Sequence, residues 1–318
     1  MFEVKLAGFE HFKRQVSPGG AGAAAAALSA EGVTLHYVMG GQGPLMVLLH
    51  GWPETWYAWR RVLPALAEHF TVLAPDLRGL GDSSKPLSGY DTNTVSADIR
   101  ELVLALGHDE VNLVGHDWGA SVAYAYAAQY RESVRKLCVI EMPVPGFGWD
   151  ALLTPGPQGW LWHMHFHAIP EIPEWLTQGR EREYISHFLR GFGVVDPFAV
   201  EEATIDEYVR CYTGPGAWRS ALQYYKAWWT DIEQNLAHAQ HKLEMPVLAV
   251  GGEHAAGAFV GIAYEQVASD VTADVIPNCG HWVAEEKPAE LIPRLLTFFD
   301  AGAKGTKEAS AVSNLAHG

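Results

Sequence analysis

The stretch Gly115-His116-Asp117-Trp118-Gly119 holds the residues whose spacing best supports chemistry. It follows the apolar run Val111–His116 and precedes the Ala-rich run Ala120–Arg131. That is the strand–turn–helix context of a G-x-nucleophile-x-G elbow. Small residues flank the nucleophile because strand and helix approach closely and the turn is strained. The helix N-terminus faces the central side chain and favours negative charge there. The plainer alternative is an ordinary turn aspartate. Asp in the place of Ser changes the reaction, because a carboxylate is ionised at neutral pH without help. It can attack an sp3 carbon from the rear if the leaving oxygen or halide is stabilised. The product is an alkyl ester of the enzyme. Hydrolysing that ester takes an activated water and an oxyanion hole.

His50-Gly51-Trp52-Pro53 follows another apolar run and supplies part of such a hole. In a sheet of this kind one amide donor comes from the loop after that strand and one from the residue after the nucleophile. These are the amides of Trp52 and Trp118. An ordinary Gly-Pro turn is the alternative, and Trp52–Pro53 is a candidate cis bond. Asn278-Cys279-Gly280-His281-Trp282 follows the last strand candidate and puts His281 after the nucleophile in chain order, as a general base. The acid that orients His281 has two candidates. The usual place, a few residues past Pro246–Gly252, holds Ala255, with Glu253 nearby. Glu141 ends the run Lys136–Glu141, beside the nucleophile's strand. Glu141 is preferred and Glu253 is the alternative.

These residues need a framework. Leu45–His50, Phe70–Asp76, Val111–His116 and Lys136–Glu141 have the composition of buried parallel strands. Helical segments at Trp59–His69, Ser96–Leu106 and Ala120–Arg131 alternate with them, which implies a doubly wound sheet with right-handed crossovers. From Met142 to about Gln240 the strand rhythm stops, and seven of the 12 tryptophans fall there. Strand signals return at Pro246–Gly252 and Val271–Pro277, before a last helix over Pro288–Phe299. The expected organisation is a core of residues 1–141 and 241–302, a helical lid of residues 142–240, and a disordered tail over 303–318. Near the N-terminus, strands at Phe9–Val16 and Val33–Met39 flank a Gly/Ala-rich hairpin loop over Gly19–Ala30.

Composition narrows the partners. The formal net charge of -15 argues against nucleic acid. Three cysteines, Cys138, Cys211 and Cys279, do not suggest a disulfide scaffold and fit a reducing cytoplasm, with secretion less favoured. No apolar run reaches the roughly 18–20 residues that span a bilayer, so no membrane partner is expected. A homodimer stays open.

The motifs together resemble those of α/β-hydrolase-fold epoxide hydrolases, over Val33 to Phe299. HGWPETWYAW, FTVLAPDLRGLGDSS, VGHDWGAS and NCGHWVAEEKP are similar to the family's blocks. They are shared with dehalogenases, and the lid separates the two. The family places two donors over the epoxide oxygen, usually both Tyr. Tyr224-Tyr225-Lys226 resembles one such segment, with Tyr225 the better match. At the other place stands Leu161-Trp162-His163-Met164-His165-Phe166, which resembles the Cif-type branch, where His replaces the first Tyr. The same branch takes its acid from a Glu placed like Glu141. The resemblance implies a small apolar epoxide and water as substrates, with no metal or organic cofactor. Lid packing is the alternative role for Tyr225 and His163. His163, His165 and His167 also suggest a metal, but no acidic ligand motif accompanies them. Haloalkane dehalogenation with the same Asp117 is the nearest rival, and a non-catalytic small-ligand receptor is the rival from another class.

Overall fold

The computed structural model describes residues 4–17, 32–149, 153–154 and 161–299. The Gly/Ala-rich segment 19–30 and the tail 303–318 lie outside the described residues. The apolar runs form strands: β1 (Phe9–Val16), β2 (Val33–Gly41), β3 (Leu45–Leu49), β4 (Thr71–Pro75), β5 (Val111–His116), β6 (Val134–Ile140), β7 (Val247–Gly252) and β8 (Val271–Ile276). They make one eight-stranded sheet in the order β1-β2-β4-β3-β5-β6-β7-β8. The β1–β2 and β2–β4 pairs are antiparallel, and the rest are parallel. Every residue of β3 and β5 is buried, as expected for strands covered on both faces.

The period of two along each strand sorts residues to opposite faces. Leu45, Val47 and Leu49 of β3 join one apolar cluster, while Met46 and Leu48 join the other. Helices α1 (Leu63–Ala67), α2 (Thr92–Ala105) and α3 (Trp118–Gln129) follow β3, β4 and β5. Val122 and Tyr126 of α3 pack on the first face, with Ile99 and Leu102 of α2, whereas Leu63 and Leu66 of α1 pack on the second. Asp91 caps α2, its carboxylate accepting the Thr94 amide at 3.1 Å.

The helix expected over Trp59–His69 is shorter in the structure. A 3-10 turn covers Trp56–Trp59, and α1 starts only at Leu63. Pro64 explains this: it lacks an N–H and belongs in a first turn, so it begins a helix rather than sitting inside one.

Between β6 and β7 the described residues hold helices and no strand: α4 (Trp162–Ala168), α5 (Ile172–Thr177), α6 (Glu181–Gly191), α7 (Glu202–Tyr212), α8 (Ala217–Ala221), α9 (Gln223–Lys226) and α10 (Trp228–His238). After β7 come α11 (Phe259–Val267), and after β8 α12 (Val283–Glu286) and α13 (Pro288–Phe298). The C-terminal ends of β3, β5, β6 and β7 gather on one side of the sheet, where ligands bind in open α/β sheets. Among the described residues no helix is long and apolar enough to cross a membrane.

Candidate active site

Asp117 sits between β5 and α3 with φ 51°, a conformation that L-residues other than Gly adopt rarely and at a cost. The elbow is tight. A Cβ at Gly119 would overlap the backbone carbonyls of Leu49 and His50, and one at Gly51 would overlap the Asp117 carboxylate. The Trp52 amide donates to Asp117 Oδ1 at 2.9 Å, and the Trp118 backbone also hydrogen-bonds the carboxylate.

His50 aims the first of these amides. The Leu77 N–H can only donate, and it points at His50 Nε2 at 3.2 Å, so that nitrogen is unprotonated. Nδ1 therefore carries the proton and donates to the Gly51 carbonyl at 2.8 Å. Fixing that carbonyl fixes the Gly51–Trp52 peptide plane, and with it the Trp52 N–H. Complete burial lowers the His50 pKa, which keeps the ring neutral. The Trp52–Pro53 bond is cis.

His281 faces Asp117, with Nε2 3.6 Å from Oδ2. Its Nδ1 lies 2.9 Å from Glu141 Oε2. Glu141 leaves the end of β6 at φ 60°, and its amide donates to Val250 O at 2.9 Å. The Glu141 carboxylate is held by the loop after β7. Oε1 accepts from the Gly252 amide at 2.6 Å, and the Ala256 amide lies 3.2 Å from both oxygens. That loop thus presents backbone donors beside Ala255, where a carboxylate was expected. Glu253 points elsewhere. Its side chain is about half exposed and accepts from the Asn278 amide at 2.8 Å.

The charges of this group are coupled. Burial alone would lower the His281 pKa, but the carboxylates of Asp117 and Glu141 outweigh it and push it up to about 10. Burial likewise opposes ionisation of Asp117, yet His281 holds its carboxyl below the usual range. At neutral pH the resting pair is an ionised Asp117 beside a protonated His281.

The insertion adds groups of a different kind. Tyr225, on α9, is fully buried, with its ring 5.1 Å from Trp118 and 5.7 Å from Trp52. Burial and the Asp117 charge raise its pKa well above the usual phenol value, and the Trp118 side chain hydrogen-bonds its hydroxyl. His163, on α4, lies 5.9 Å from Tyr225, centroid to centroid. Burial drives its pKa down to about 3, so it is a neutral imidazole. Asp117 and His281 are close enough to act on that value. Tyr224 turns away and donates to the Arg78 carbonyl at 2.8 Å. His167, on the same helix as His163, packs 4.4 Å from the Tyr225 ring and pairs with the Tyr184 hydroxyl at 2.7 Å.

Sequence patterning does not single out the groups around His281 in depth. His116 bonds Glu54 on one side and the His281 carbonyl on the other. Glu54 lies in the run after Pro53 with no spacing signal of its own. His116 carried a signal only as the residue beside Asp117. The metal question also moves. Among the described residues, the groups spaced to hold an ion are His36, Asp76 and Asp82, and Asp82, Glu207 and Cys211, rather than His163, His165 and His167. The second group is already bridged, since one Arg210 nitrogen lies 2.7 Å from Asp82, 2.8 Å from Glu207 and 3.2 Å from Cys211. Cys138, Cys211 and Cys279 are buried free thiols.

A family model described as the α/β hydrolase fold matches residues 44–288. A soluble epoxide hydrolase of Corynebacterium sp. (strain C12) is 43% identical over 273 residues, covering 84% of this chain and 94% of the relative. The crystal structure of Cfl2 from Burkholderia cenocepacia is 40% identical, with a TM-score of 0.84, over 93% of this chain and 98% of that one. The epoxide hydrolase CorEH, solved without ligand, is also 40% identical, with a TM-score of 0.81, over 92% and 99% of the two chains.

Proposed function

The chain belongs to the α/β hydrolase fold family, and on that premise we propose that it is an epoxide hydrolase that works through a covalent Asp117 ester. The similarity to a soluble epoxide hydrolase along most of both chains supports the activity. The observation that carries the mechanism is the pairing of opposites across the site. An ionised carboxylate on the core, Asp117, faces two un-ionised donors from the insertion, Tyr225 and His163. On this reading residues 142–240 are a lid over a core of residues 1–141 and 241–302.

Asp117 attacks an epoxide carbon, and a C–O bond of the ring breaks. Tyr225 and His163 hydrogen-bond the departing oxygen, and Tyr225 supplies its proton. A phenol with a raised pKa still gives a proton to an alkoxide, whose basicity is near that of hydroxide. Alkylation also removes the Asp117 charge. His281 then keeps only Glu141 as a raising partner, so its pKa falls; it gives up its proton, which replaces the one Tyr225 lost, and the neutral ring becomes a base. It takes a proton from water, which attacks the ester carbonyl carbon. The Trp52 and Trp118 amides stabilise the oxyanion, and collapse releases the diol and restores Asp117. The aromatic walls, Trp52, Trp118 and Phe188 among them, suit an apolar epoxide. Haloalkane dehalogenation is weaker on one point. The Trp118 indole, which would hold a halide, hydrogen-bonds Tyr225 instead.

Kinetics and mass spectrometry test this. A single turnover in labelled water, with enzyme in excess, should give mostly unlabelled diol and put the label in Asp117. The His281→Gln variant should accumulate Asp117 carrying the mass of the epoxide, seen by intact-protein mass spectrometry. Fully labelled diol on the first turnover, with no adduct, rules the mechanism out. Tyr225→Phe and His163→Ala should slow adduct formation on epoxides. Wild-type alkylation in both would make them packing residues, and faster turnover of a haloalkane than of any epoxide would favour the dehalogenase.

A further inference from the structure

We propose that His281 is gripped by its backbone as well as by its side chain, in a clamp with His116 on the core side and Gly193 on the lid side, and that this clamp sets the rate of ester hydrolysis but not of alkylation. The proposal rests on the covalent reading given above. On the core side, His116 Nε2 lies 2.8 Å from the His281 carbonyl oxygen. A carbonyl only accepts, so Nε2 carries a proton. Nδ1 of the same ring lies 2.9 Å from Glu54 Oε2. Both ring nitrogens thus face acceptors, the arrangement of an imidazolium neutralised by one buried carboxylate. The Tyr212 hydroxyl donates to the Glu54 carbonyl at 3.1 Å, fixing that residue in turn.

On the lid side, the His281 N–H donates to Gly193 O at 2.6 Å. Gly193 has φ 62°, and a Cβ there would come within 3.3 Å of His281 Cβ. A Cβ on Gly280 would overlap the Gly193 carbonyl, so both glycines are required by one close approach. The lid loop is pinned beyond this point. Glu286 Oε2 accepts from the Val195 amide at 2.9 Å and the Asp196 amide at 3.3 Å. Both peptide groups of His281 are therefore engaged, one by the elbow and one by the lid.

The side chain of His281 has a short hydrogen bond to Glu141 at 2.9 Å and a looser contact with Asp117 at 3.6 Å; alkylation neutralises Asp117, and an imidazole can then swing about the single bond to Glu141. Fixing the peptide on both sides fixes Cα, and then the Glu141 contact leaves Nε2 one direction. Water activation depends on that direction, because a misplacement of about 1 Å costs on the order of 10²-fold. Alkylation depends on Asp117, Tyr225 and His163, none of which needs His281 aimed. His116 and Gly193 are therefore positioning residues for the second half-reaction.

The test separates the two steps by rapid quench and intact-protein mass spectrometry, with styrene oxide as the probe. His116→Phe removes the core-side donor, and His116→Gln keeps one N–H for the His281 carbonyl. Glu286→Gln loosens the lid loop from a residue outside the reacting group. Expected are alkylation rates within about twofold of wild type and ester hydrolysis slowed on the order of 10–100-fold in His116→Phe. His116→Gln should fall between Phe and wild type, and Glu286→Gln should slow hydrolysis by roughly threefold to tenfold. If His116→Phe does not fold, His116→Gln and Glu286→Gln carry the test. Wild-type hydrolysis in the variants, or equal losses in both steps, overturns the clamp. If wild type and His281→Gln give no adduct at all, the covalent reading falls and takes the clamp with it. If adduct forms but the variants clear it at the wild-type rate, only the clamp falls.

Discussion

The two carboxylates that flank His281 differ in what they do over one cycle. On the proposed mechanism Asp117 loses its charge on alkylation, whereas Glu141 is not alkylated. The resting pKa of about 10 is therefore a property of the pair, and the alkyl-enzyme must titrate lower. We predict that ester hydrolysis rises with pH through that lower value, while alkylation is flat across neutrality because Asp117 stays ionised. Glu141→Gln removes the last raising partner. It should move the hydrolysis profile to lower pH and cut its plateau by on the order of 10²–10⁴, leaving alkylation intact. Glu253→Gln, at a half-exposed carboxylate that accepts from the Asn278 amide and lies near His254, should be nearly silent. The reverse ranking, measured by single-turnover kinetics from pH 5 to 10, would move the acid to Glu253. The sign for stability runs the other way. A His pKa raised by folding stabilises the fold fully below about pH 6.5, and that contribution is lost as pH rises towards 10.

At the scale of elements, α10 of the insertion meets the N-terminus of α2 through Asp231. One carboxylate oxygen accepts from the Thr92 amide at 2.7 Å and the Thr92 hydroxyl at 3.1 Å. The other is buried with no hydrogen-bond partner among the described residues. Burial raises the Asp231 pKa well above the carboxylate range, against the help of Thr92, and Asp91 adds to it. An acid with a raised folded pKa costs stability as pH climbs above its unfolded value. Asp231→Asn removes the charge and keeps an oxygen for Thr92. It should match wild type in urea unfolding near pH 4 and exceed it by about 1–3 kcal/mol near pH 8. A variant that is less stable at both pH values would mean the charge is favourable there. Elements of this kind also show where sequence reading stops. The strands bearing Asp117, Glu141 and His281 are legible because apolar runs bounded by turn residues carry a local signal. Pro64 cut a helix that the hydrophobic pattern alone extends to Trp59. The Glu54–His116–His281 chain, the Gly193 contact and the Asp231–Thr92 cap join residues far apart in the chain, and no spacing encodes them. The loop at Ala255 is the instructive middle case. The missing carboxylate was visible, but not the Gly252 and Ala256 amides that hold Glu141 in its stead.

On the scale of the whole molecule, the proposed reacting groups are divided between the core and the inserted helices, so on that reading the insertion must be docked for either step to run. Besides the apolar cluster that joins the two, a polar group of the core reaches the inserted helices. Arg60, on the core, hydrogen-bonds both oxygens of Glu285, one of them at 2.9 Å, and donates to Thr204 of α7 at 2.9 Å. The Tyr208 hydroxyl of α7 lies 3.4 Å from the same carboxylate. Glu285 is buried and Arg60 is mostly covered, so the pair is one of mutual neutralisation in a poorly solvated place. Burial already raises the Glu285 pKa, and Arg60 opposes it. Removing the cation strands the carboxylate, which costs far more than an exposed pair is worth. We predict that Arg60→Gln lowers the free energy of unfolding by about 3–5 kcal/mol at pH 8. The loss should shrink towards pH 5, where Glu285 can take up a proton and become neutral. Arg182, about half exposed in its pair with Glu202, gives the comparison. Arg182→Ala should cost less than about 1 kcal/mol at either pH. Urea unfolding of the two variants at both pH values decides the matter. Equal, small losses would mean that the Arg60–Glu285 pair contributes no more to the fold than an exposed pair does.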